Sequence, residues 1–221
     1  SHQDAIKKCL AKRDARAPWQ VAYLPIDPAD IGRSYQEVIR INSQSGKGGV
    51  AYVLESSFGY ALPRWLQIDF SPLVQAHAEA QESELSPQAI HDLFQRTYLS
   101  GGGRWRLGDY QVSRADNVDQ LRAELLEGSN RRDLQGTGNG VVASFVDAMQ
   151  RFTGRQIVLV EYSEHALSQS ADAEAVCYIQ LNIDGERYCG VGRSPDIIQA
   201  SLDGILGAIN KAAEQGQTAA A

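Results

Sequence analysis

The C-terminal half of this 221-residue chain repeats itself, and the repeat limits what it can fold into. Two stretches each run through three strand-like segments, reach Gly-x-Gly, and enter a helix carrying Ala-Ser and a large apolar residue (Ala143-Ser144-Phe145, Ala200-Ser201-Leu202). In the first stretch the segments lie near 104–112, 120–126 and 130–134. They are followed by Gly136-Thr137-Gly138-Asn139-Gly140 and a helix with Val142, Phe145, Val146 and Met149 on one face. The second runs from 156 to 162, then alternates Cys177, Ile179, Leu181 and Ile183 on one face into an Asp184-Gly185 hairpin turn. It returns through Tyr188 and Cys189 to Gly190-Val191-Gly192. A closing helix follows, expected to be capped by Ser194 with Pro195 at its first position and Ile198, Leu202, Ile205 and Ile209 inward. A duplicated βββα unit accounts for this economically, its sheets packing on each other or across a dimer.

Upstream the pattern is helical. Ile6 and Leu10 at i, i+4 mark a short amphipathic helix over 3–12, and Pro18, Pro25 and Pro28 bar regular helix up to about residue 29. Val38, Ile39 and Ile41, and then Val50 to Leu54, suggest two short elements around the Ser45-Gly46-Lys47-Gly48-Gly49 turn; such short apolar runs do not decide between helix and strand. Ser71-Pro72 and Ser86-Pro87 both read as helix starts, the second ahead of Ile90, Leu93, Phe94 and Tyr98 at helical spacing. Ser100-Gly101-Gly102-Gly103 is the clearest boundary. The expectation is an α+β chain in three parts: a linker subdomain over 1–31, a mainly helical subdomain over 32–99, and two βββα units over 100–221.

Composition narrows the function. At 43% hydrophobic the chain can bury a core, and a net charge of −6 argues against a phosphate-backbone partner. No apolar run approaches a membrane span. Cys9, Cys177 and Cys189 form no Cys-x-x-Cys, so neither a disulfide framework nor a zinc site is implied and a reducing cytoplasm fits. His2, His77, His91 and His165 show no ligand spacing, so no metal is expected on this chain. The glycine turn at 45–49 suggests a phosphate cradle, but Lys47 is followed by Gly48 where a P-loop needs Ser or Thr.

Two stretches carry a resemblance: Trp19-Gln20-Val21-Ala22-Tyr23-Leu24-Pro25-Ile26-Asp27-Pro28, and Ile41-Asn42-Ser43-Gln44-Ser45-Gly46-Lys47-Gly48-Gly49-Val50-Ala51-Tyr52. Together they resemble the segment that follows the catalytic barrel in the 2-isopropylmalate synthase family, and the likeness extends over nearly the whole chain. It implies an acyltransferase that condenses acetyl-CoA with 2-oxoisovalerate in leucine biosynthesis. The divalent metal would be held by a barrel outside this sequence, and the chain alone would be inactive.

In that family a His and a Tyr after the barrel reach into the neighbouring subunit's active site. They fall on His2, in Ser1-His2-Gln3-Asp4-Ala5, and on Tyr23. Imidazole passes protons near neutrality, and a phenol can donate to a developing oxyanion. Ala22 stands where relatives usually carry proline. The resemblance further implies a homodimer that leucine inhibits by binding at Gly138, Asn139, Gly140, Val141, Val142 and Ala143, with Tyr162, His165, Ala166, Ala173 and Ala175. N–H groups at a glycine-rich helix start suit a carboxylate, and small residues leave room for an isobutyl group. The related citramalate and homocitrate synthases, and a stand-alone amino-acid-binding module, are the competing readings.

Overall fold

The structure is a computed structural model that describes residues 2–14, 18–32, 46–99, 103–168 and 173–218. The Val38–Ile41 segment, the Ser43 to Ser45 part of the glycine-rich stretch and residues 100–102 of the linker lie outside the described residues.

The first helix, α1 (His2–Lys12), buries Ile6. A tight turn at 21–24 follows, closed by Leu24 N–H donating to the Val21 carbonyl at 3.1 Å. Next comes a single 3-10 turn over Pro28–Ile31, capped by Asp27, whose Oδ1 accepts from Ala29 N–H at 3.0 Å. The ambiguous run at 50–54 is helical. It lies in α2 (Lys47–Phe58), which starts at Gly46 and turns Val50, Val53 and Leu54 inward. Gly48 and Gly49 are thus in the first helical turn and do not join two strands.

Ser71-Pro72 is not a helix start. Both residues lie inside α3 (Arg64–Gln81), where Leu66, Phe70, Val74 and Ala78 recur at i+4 and are all buried. That continuous apolar stripe holds one helix through Pro72, although an interior proline costs about 3 kcal/mol. Ser71 is itself buried, its hydroxyl without a hydrogen-bond partner among the described residues. Ser86-Pro87 does begin a helix: α4 (Pro87–Phe94) is capped by Ser86 Oγ, which accepts from Ala89 N–H at 3.1 Å. A π-turn over Gln95–Leu99 carries the chain on and buries Tyr98.

Two βββα units follow. The first is β1 (Arg106–Ala115), β2 (Val118–Glu127), β3 (Asn130–Gly138) and α5 (Val141–Thr153). The second is β4 (Ile157–Ala166), β5 (Ala175–Ile183), β6 (Glu186–Ser194) and α6 (Ile197–Thr218). Each sheet is antiparallel and in sequence order, with Leu121 opposite Gly136 in one and Ile179 opposite Gly190 in the other. The first strand of each sheet, an edge, bulges near its start, between Leu107 and Tyr110 and between Leu159 and Glu161, which breaks the ladder an uncovered edge would offer.

The last helix starts later than Ser194. Asp196 is its cap, with Oδ1 accepting from Ile198 N–H at 2.8 Å, while Ser194 Oγ accepts from Asp196 N–H at 3.1 Å. Ile198 is consequently 37% exposed, whereas Leu202, Ile205 and Ile209 are buried as expected.

Gly-x-Gly sets the distance between helix and sheet in each unit. A Cβ on Gly136 would stand 2.1 Å from the Ser144 carbonyl oxygen, and one on Gly190 would stand 2.0 Å from that of Gly204. With hydrogen alone at these positions, helix backbone rests directly on strand backbone. Above this contact one core joins Leu121, Leu125, Phe145 and Met149 of the first unit with Ile179, Leu181, Leu202 and Ile205 of the second. Strand β5 is buried on both faces. Val176 and Tyr178 enter a second core with Leu54, Leu66, Phe70, Ile90 and Phe94, so the helices at 47–99 cover the outer face of the second sheet.

Replacing Gly190 with alanine should cost at least ~3 kcal/mol, because the clash is with backbone that no rotamer change relieves. Gly128, at φ 60° with open space around it, should cost only about 1 kcal/mol on the same change. Urea unfolding of the two variants checks the difference.

Candidate functional site

Along β4, Tyr162, Glu164 and Ala166 share the face towards α6, and β5 sets Ala175 opposite Ala166 and Ile179 opposite Tyr162. The Tyr162 hydroxyl donates to the Glu164 carboxylate and lies 3.0 Å from Ser201 Oγ and 3.8 Å from Cys177 Sγ. Ser201 Oγ donates to the Ile197 carbonyl at 2.8 Å and meets Cys177 Sγ at 3.3 Å, tying the first turn of α6 into the cluster. Burial and the bond to Glu164 push the Tyr162 phenol well above its ordinary range, and burial likewise raises the Cys177 thiol. Both stay protonated at neutral pH. The result is a carboxylate, a phenol and a hydroxyl beside small residues at a half-open edge.

His165 does not join this group. It points to the opposite face, where Nε2 accepts from Ala61 N–H at 3.3 Å and lies 3.0 Å from the Tyr178 hydroxyl. Nδ1 is 3.1 Å from the Ala166 carbonyl, which can only accept, so the proton sits on Nδ1. His165 fastens the second sheet to the helical layer. Tyr162 and Ala166, three and one residues away, carry the face towards α6.

Gly138 to Ala143 lie in the first unit. Gly138 ends β3, and a Cβ there would stand 2.7 Å from that of Ala143, so its missing side chain serves packing. Gly140 precedes α5, whose first residues Val141 and Val142 are partly exposed and Ala143 exposed. Register makes the units comparable. Val112 opposes Leu121 as Tyr162 opposes Ile179, and Ser144 occupies in α5 the place of Ser201 in α6. In the first unit, however, Ser144 Oγ donates to the Asp119 carbonyl at 3.0 Å and Val112 presents no hydroxyl, so the polar cluster belongs to the second unit alone. Ala173 precedes β5 and is partly buried. Sequence reasoning left Ser201 and Cys177 out of the candidate set; the repeated Ala-Ser pair was the signal for Ser201.

Tyr23 sits at the third position of the 21–24 turn with φ 65° and is 64% exposed. A left-handed backbone at a bulky residue costs on the order of 1–3 kcal/mol and is a feature of functional positions. Trp19 Nε1 donates to the Leu24 carbonyl at 2.6 Å, and Arg13 stacks over Trp19 at 4.6 Å and pairs with Asp27 at 3.3 Å, which braces the turn. His2 is the first residue of α1. Among the described residues no group of three or more His, Cys, Asp and Glu is placed to hold a metal ion, and no helix is long and apolar enough to cross a membrane.

A cleft of about 1080 Å³ lies between the π-turn at 95–99 and α6, lined among others by Arg96, Trp105, Arg106, Asp203 and Lys211. At its inner end Tyr98 donates to Asp69 Oδ2 at 2.5 Å, and the Lys211 ammonium stands 3.6 Å above the Tyr98 ring. Burial brings Lys211 down to about 8, against the raising influence of Asp69, Cys189 and Glu214. A lysine held lower in the folded than in the unfolded state binds fewer protons when folded, so its share of stability rises with pH from about 8 towards 10. Each tenfold change in proton affinity corresponds to about 1.4 kcal/mol, so wild type should gain ~2–3 kcal/mol on Lys211→Met between pH 7 and 10. Urea unfolding across that range checks it, and a constant difference would contradict the assignment.

Residues 84–213 match the family described as the LeuA allosteric (dimerisation) domain, and residues 1–55 match the alpha-isopropylmalate synthase, post-catalytic domain-like family. A protein named 2-isopropylmalate synthase from Kineococcus radiotolerans is 44% identical over 229 residues, covering 96% of this chain and 40% of the relative. Proteins of the same name from Thermobifida fusca and Mycobacterium leprae are 42% and 40% identical, each covering 96% of the chain and 39% and 37% of the relative. The chain thus spans about two fifths of the length of the curated relatives it matches.

Proposed function

The chain belongs to the LeuA allosteric (dimerisation) domain family, and from that premise we propose that it is the regulatory portion of a 2-isopropylmalate synthase inhibited by leucine. The observation that carries the reading is the Tyr162, Glu164, Ser201 and Cys177 cluster beside Ala166 and Ala175, which only the second unit builds. An α-amino acid needs an acceptor for its ammonium, donors for its carboxylate and an apolar recess. Glu164 supplies the first, N–H groups at the start of a helix such as α5 supply the second, and Ala143, Ala166, Ala173 and Ala175 leave space for the third. Gly138, Asn139, Gly140, Val141 and Val142 would shape the carboxylate end, and His165 would hold the strand in place from behind.

The whole enzyme on this reading is a cytoplasmic acyltransferase that joins acetyl-CoA to 2-oxoisovalerate, with a divalent metal in a barrel that is separate from this sequence. Tyr23, presented outward on its braced turn, and His2 would reach that barrel's active site in a homodimer. Exposed Val158, Leu159 and Val160 on the edge strand β4 support the dimer, since such an apolar edge is normally covered.

Calorimetric titration of this chain tests the reading. Leucine should bind saturably and more tightly than valine by ~10–200-fold, the discrimination one methylene allows. Tyr162→Phe should weaken leucine binding, and preference for isoleucine would move the assignment to the citramalate enzyme. Absence of binding to all three would contradict an effector site on this chain.

A further inference from the structure

The chain has five lysines, Lys7, Lys8, Lys12, Lys47 and Lys211, and only Lys211 lies beyond the glycine-rich stretch. It projects from α6 into the wall of the cleft beside the π-turn, half-buried, with its nitrogen above the Tyr98 ring. We propose that Lys211 is a modification site, a nucleophilic amine that takes an acyl group from a thioester entering the cleft. The cleft shapes both requirements of that reaction. It has room for a small acyl donor, and Arg106 on its border suits a donor carrying phosphate or carboxylate, while the neighbouring Arg193 pairs with Glu174 at 3.3 Å and donates to the Tyr60 hydroxyl at 3.0 Å.

The charged and titratable groups around the amine act on its state in opposite directions to burial. Asp69 of α3 and Glu214 of α6 favour the ammonium, Cys189 of β6 acts in the same direction, and Tyr98 of the π-turn presents its ring face. Asp92 and Asp203 complete the acidic lining. Burial outweighs the acids, so near neutral pH more of this side chain is free amine than of an exposed lysine.

The step balances without an oxidant or reductant. The ammonium first loses a proton to solvent, and the neutral nitrogen attacks the thioester carbonyl. The C–N bond forms as the C–S bond breaks, the second proton leaves nitrogen, and the departing thiolate is protonated to thiol. The product is an uncharged amide where a cation faced Asp69 and the Tyr98 ring, so acylation alters the contact between the helical layer and α6.

The test uses the folded chain and the acetyl thioester of N-acetylcysteamine, with site occupancy followed by peptide mass spectrometry at several pH values. Lys211 should acetylate on the order of tenfold faster than Lys8, Lys12 and Lys47 at pH 7.5, and its own rate should level off once the pH passes about 9. In strong urea the preference should vanish, because the cleft makes it. Acetylation of Lys211 no faster than the others, or a preference that survives unfolding, would overturn the proposal.

Discussion

Backbone lying directly on backbone is the contact from which both βββα units are built. Where β3 meets α5 and where β6 meets α6, glycine leaves no side chain between strand and helix, and a single methyl group would have to occupy the place of a carbonyl oxygen. That closeness lets Ser144 and Ser201 reach the strands beneath them, and it brings the Ile197 turn against Cys177. The polar cluster at Tyr162 therefore depends on glycines that never touch it.

Much of this architecture was legible because two periodicities and a repeat agreed. Alternation in β5 and the 3.6-residue spacing in α5 named the elements, and the Asp184-Gly185 pair fixed a hairpin whose two residues take φ 52° and 96°. What failed was local punctuation. Ser71-Pro72 has the form of a helix start, yet the buried stripe from Leu66 to Ala78 carries the helix through it. Ser194-Pro195 gave way to Asp196 two residues later. Tertiary packing decided the first case, and a second competent cap the second.

The site was legible only in part. Resemblance supplied Tyr162, Ala166 and Ala175, which the structure brings to one side of the second sheet. It also supplied His165, which strand alternation sends to the other side, since β4 turns successive residues to opposite faces. Sequence spacing alone could not reveal that Gly136 and Gly138 serve helix packing, because a glycine-rich helix start and a glycine-lined strand are written with the same letters. The 22 residues of α6 join these regions, with Ser201 in the cluster and Lys211 at the cleft about 15 Å further along at 1.5 Å per residue. On the proposed reading this helix is the element that both sites touch, which is what coupling between them requires.

The most direct measurement is a leucine titration of the isotopically labelled chain followed by amide and side-chain NMR. Shifts should concentrate at Gly140 to Ala143, at Tyr162 to Ala166 and in the first turn of α6 around Ile197 to Ser201, with smaller changes spreading towards Lys211. Shifts confined to the cleft at 95–99 and 203–214, with the Tyr162 cluster unmoved, would contradict an effector site at the second sheet.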